Sequence, residues 1–131
     1  MYALLYNDVV EALCILRPIF INDTTVLRFV DYIGSNNSFK KIKYYLNKII
    51  LQYSAEYIDI YSYGIPLEVL SEAGFINRKI YNDLIVPDYF EPFERANNEV
   101  SFAYKILNDN NSVRLFKADG DTDRPSMIRT N

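Results

Sequence analysis

Apolar residues recur at steps of three and four along most of this chain, and that spacing predicts helices. The clearest run is 38–53, where Phe39, Ile42, Leu46, Ile49, Ile50 and Tyr53 form one stripe. Ser38 suits the N-cap of that run, and Lys40, Lys41, Lys43 and Lys48 fall largely on the opposite face. An earlier helix reads from Asp23 as N-cap through Val26, Leu27, Phe29, Val30 and Ile33, with Gly34 closing it, so that the two pair as a helical hairpin. Ahead of them, Asn7 or Asp8 caps a helix carrying Val9, Ala12, Leu13 and Leu16, which ends or kinks before Pro18.

The rhythm changes at Tyr57–Tyr63. As a strand, this segment puts Ile58 and Ile60 on one side and Tyr57, Asp59, Tyr61 and Tyr63 on the other; a helix remains open. Pro66 then opens a helix through Leu67, Val69, Leu70 and Ala73 to Gly74. Asn77 caps another with Ile80, Tyr81, Leu84 and Ile85, and a last helix follows Pro92 through Phe93, Ala96, Val100, Ala103, Tyr104 and Leu107. Val113–Lys117 reads as a short strand or extended segment. The expected architecture is mainly α: a single compact domain over 1–118 with five or six helices and at most a minor short β element, then a loosely ordered tail over 119–131. A length of 131 residues suits one domain able to bury its own core.

Composition changes the functional picture more than the structural one. The chain has no histidine and one cysteine, against 12 tyrosines and 8 phenylalanines. Without imidazole there is no Ser/His or Cys/His dyad and no His/Cys metal cage. Cys14 sits among Ala12, Leu13, Ile15 and Leu16 and reads as a buried thiol. Asp8 and Glu11 interrupt the apolar stretch 1–20, no cation precedes it, and no run is long enough to span a bilayer, so a cytoplasmic protein is expected.

The motifs that remain are short. Asp119-Gly120-Asp121-Thr122-Asp123 has the alternate acids of a calcium loop, but Arg124 and Thr130 stand where glycine and glutamate are required. Ser38 and Lys41 match Ser-x-x-Lys without the rest of that machinery, and an N-cap serine explains the same letters. Glu68 with Glu72, and Glu91 with Glu94, could place paired carboxylates on a helix face, which is the basis of a hydrolase alternative. All four glycines stand alone, so no Gly-rich phosphate loop exists. No metal or cofactor is expected.

Charge is uneven. Residues 38–53 carry four cations and no anion, whereas 54–99 carry nine acidic residues against three basic ones, a net −6 in a chain of net −3. The acidic stretch is also rich in aromatic rings, and rings surrounded by carboxylates suit capture of a basic partner. The leading expectation is a non-catalytic inhibitor, an immunity protein or antitoxin that covers the cleft of a nuclease-type toxin one-to-one. Its partner-binding residues are Tyr57, Asp59, Tyr61, Tyr63, Glu68, Glu72, Asp88, Tyr89 and Glu91. In general profile alone the chain resembles bacterial toxin-immunity proteins. The alternative is a viral or mobile-element accessory protein that binds host machinery or nucleic acid through Lys40–Lys48 with Tyr44 and Tyr45.

Overall fold

A computed structural model describes residues 1–21, 23–81, 83–87, 96, 97, 99, 101–107 and 112–120. It replaces the expected helical domain with an α+β arrangement. Strands β1 (Tyr2–Tyr6), β2 (Val9–Ile21), β3 (Thr24–Gly34) and β4 (Ala55–Ile60) form one sheet in the order 1-2-3-4. Helices α1 (Asn36–Lys40) and α2 (Lys43–Tyr53) connect β3 to β4, which run parallel; the other neighbours are antiparallel. Then come β5 (Ser62–Tyr63), α3 (Leu67–Glu72) and β6 (Leu115–Phe116), with β5 and β6 paired as a two-stranded ribbon. Short 3₁₀ turns span Arg78–Ile80 and Lys117–Asp119.

The helices expected over 8–17 and 23–33 are therefore strands, and the helical hairpin does not form. Both segments are rich in β-branched residues, and the described backbone gives turn conformations where caps were expected. Asn7 and Asp8 hold φ of 49° and 62°, the left-handed pair of a two-residue hairpin turn between β1 and β2. Asp23 is likewise left-handed, at the β2–β3 turn. Pro18 is tolerated inside β2 because β1 pairs only with Val9–Cys14, leaving the Pro18 stretch bonded to β3 alone.

Other expectations hold in part. The 38–53 stripe is helical but broken between Lys40 and Lys43, and Ser35 rather than Ser38 caps it, accepting from the Ser38 backbone N–H. Tyr57–Tyr63 is extended, as is Leu115–Phe116 within Val113–Lys117, whereas Lys117 begins a 3₁₀ turn. Asn77 does cap, but only the 3₁₀ turn Arg78–Ile80. Of the helix expected after Pro92, 93–95, 98 and 100 lie outside the described residues, and its described part, 96, 97, 99 and 101–107, is not helical. From 121 onward the expected tail also lies outside them.

One apolar layer lies between the sheet and its helices. Ala12, Cys14 and Leu16 of β2 and Leu27, Phe29 and Tyr32 of β3 meet Phe39, Leu46 and Ile49 of the crossover helices and Ile42 between them, with Val69 of α3 and Ala73 at its C-cap. A bulge at Val30, between the pairs Ile15↔Asp31 and Leu16↔Phe29, turns Tyr32 to the same side as Phe29. Phe116 of β6 closes this layer from the far end of the chain, with its ring 6.3 Å from Phe29 and 6.4 Å from Tyr32. The ribbon that carries it depends on Gly64: at φ +79° a Cβ there would stand 1.9 Å from the Val113 carbonyl oxygen, so only glycine lets the backbones approach.

Candidate functional site

On β4, strand alternation puts Ile58 and Ile60 against the core and sends Tyr57 and Asp59 to the opposite sheet face. That face is covered here. Asp59 is 5 % exposed and lies beside Arg28 in the parallel register. Arg28 Nη2 donates to Asp59 Oδ2 at 2.9 Å, and Nε approaches both carboxylate oxygens at 3.3 Å. A carboxylate so enclosed is neutralised within the fold and adds nothing to a solvent-facing field. Tyr57 and Tyr61 are half-buried, and the buried Lys117 places its ammonium 4.3 Å from the centre of the Tyr61 ring.

Tyr63 behaves differently. It is 42 % exposed and meets Phe102 at 5.3 Å and Tyr104 at 5.4 Å between ring centres, while Phe102 and Tyr104 stack at 6.3 Å. Phe102 and Tyr104 are 54 % and 45 % exposed. The two phenolic oxygens lie 2.8 Å apart, and this hydrogen bond raises the pKa of Tyr104. Three rings are thereby fixed relative to one another at the surface. Sequence spacing had assigned Tyr104 to a buried helical stripe; the signal for the cluster was the alternation Phe102, Tyr104, Ile106, whose members are all exposed.

Glu68 and Glu72 both project to solvent from α3, and Glu72 Oε1 accepts from Lys40 Nζ at 2.9 Å. The nine expected contact residues therefore do not assemble into one face. Tyr57, Asp59 and Tyr61 line a covered region, Tyr63 joins an exposed ring cluster, and Glu68 and Glu72 sit on α3. Asp88, Tyr89 and Glu91 lie outside the described residues. The basic run is divided too: Lys40 pairs with Glu72, Lys41 lies 3.7 Å from Glu11, and Lys48 sits 4.6 Å over the Tyr44 ring.

Nucleophilic options are weak among the described residues. Ser38 is buried, with its hydroxyl 2.9 Å from Ser35 Oγ and 3.4 Å from a Glu11 oxygen, and the Lys41 ammonium goes to that same carboxylate. Burial pushes the Cys14 thiol up to about 11. Only about one part in a thousand is then thiolate at pH 8, so the nucleophilic form is almost unpopulated. Among the described residues no group of three or more acids or cysteines is placed to hold a metal ion, and no helix is long and apolar enough to cross a membrane.

The Cys14 shift also sets a pH dependence. Its folded pKa lies above the unfolded one, so the stabilisation is complete below about pH 8.5 and is lost as pH rises towards 11. Urea midpoints should fall across that window, and Cys14→Ala should flatten the fall there. Rapid labelling of native Cys14 by a thiol reagent at pH 8 would contradict this account.

Comparison with protein-family models, with curated proteins and with solved structures finds no match to this chain.

Proposed function

We propose that this protein is a non-catalytic binding module that seats a cationic surface of another protein, as an immunity protein or antitoxin covers the cleft of a nuclease-type toxin. The observation that carries the reading is the exposed cluster of Tyr63, Phe102 and Tyr104. Large rings left in water retain apolar area that a partner can bury, and their fixed mutual geometry lowers the entropy lost on binding. Ring faces also attract guanidinium and ammonium groups. With Asp59 paired to Arg28 and Glu72 to Lys40, seven acids against three bases remain over 54–99, and that net −4 favours a basic partner and disfavours nucleic acid. Glu68 contributes an exposed carboxylate from α3, whereas Asp59 serves the interior.

A second reading is favoured by topology. The parallel pair β3/β4 separates after Phe29↔Ile60, while β3 continues to Gly34 and β4 hands the chain to the β5–β6 ribbon. Small ligands bind at the carboxyl ends of parallel strands where connections diverge. Arg114 marks that end, with Nη1 donating to the Gly34 carbonyl at 2.7 Å. The neighbouring region would then be a small-molecule site.

Affinity capture from native cells with wild-type protein and with a Tyr63→Ala/Phe102→Ala variant separates the two. The first reading predicts a stoichiometric basic partner whose recovery falls at least tenfold with the variant, while circular dichroism is unchanged. Equal recovery by both proteins would refute it. Ligand-induced shifts confined to Val30–Ser38 and Arg114 in a small-molecule titration would favour the second.

A further inference from the structure

We draw no further inference here: the strongest candidate, the apolar tip of the β1–β2 hairpin, where the paired Leu5 and Val10 and the paired Tyr6 and Val9 are all exposed, carries none because nothing in the structure shows what covers it.

Discussion

Asp59→Ala should destabilise the protein by about 3–5 kcal/mol, because it removes the carboxylate that is paired with the buried Arg28 guanidinium. Both side chains are only 3 % exposed, and the 2.9 Å contact is supported by the two longer approaches of Nε. Removing the acid leaves a charge that cannot change state, since arginine stays protonated at any ordinary pH. The double replacement Arg28→Met/Asp59→Leu should cost much less than either half alone, because it removes both desolvation penalties together. Urea unfolding followed by circular dichroism measures all four species. A single-variant loss below about 1 kcal/mol would mean that water reaches the pair and that the covered face is open.

Phe29→Ala should cost a similar amount, about 3–5 kcal/mol, by a different mechanism. Phe29 is fully buried, and its ring lies 5.7 Å from Phe39, 6.0 Å from Phe75, 6.3 Å from Phe116 and 6.5 Å from Tyr32. Truncation leaves a hole that rings on four separate segments cannot collapse to fill. Phe29→Leu should cost only about 1–1.5 kcal/mol, as most of the volume returns. Hydrogen exchange should show the 112–120 segment loosening most in the alanine variant, because Phe116 loses one of its two ring neighbours in β3. Equal exchange there in wild type and variant would show that Phe116 is held by something else.

What could be seen from the chain alone depended on whether a residue's environment was local. The lysine-dressed stripe of α2 announced itself, since its polar face is exposed and its apolar face buried within one element. Ile58 and Ile60 revealed their inward side for the same reason. β3 did not: Val26, Leu27, Arg28, Phe29 and Val30 are all buried, so both sides of the strand are enclosed and no alternation survives. A run of that kind also satisfies helical spacing, and the left-handed turns at Asn7-Asp8 and Asp23 were the better guide. The role of Asp59 was invisible because its partner lies 31 residues earlier and becomes a neighbour only through the parallel crossover. Tyr63 could be singled out as a candidate ring on chemical grounds and is exposed, yet its companions Phe102 and Tyr104 were hidden by an assumed helix.

The ribbon that joins Ser62–Tyr63 to Leu115–Phe116 bears on how the protein is made. A ribosome delivers β1 to α3 long before it delivers β6, so the nascent chain can collapse with the slot above Phe29 and Tyr32 still empty. Exposed rings in a half-made chain invite contact with neighbouring polypeptides. The most hazardous interval of biogenesis is therefore the one just before Phe116 leaves the exit tunnel, and pausing of translation upstream of Val113 would prolong it.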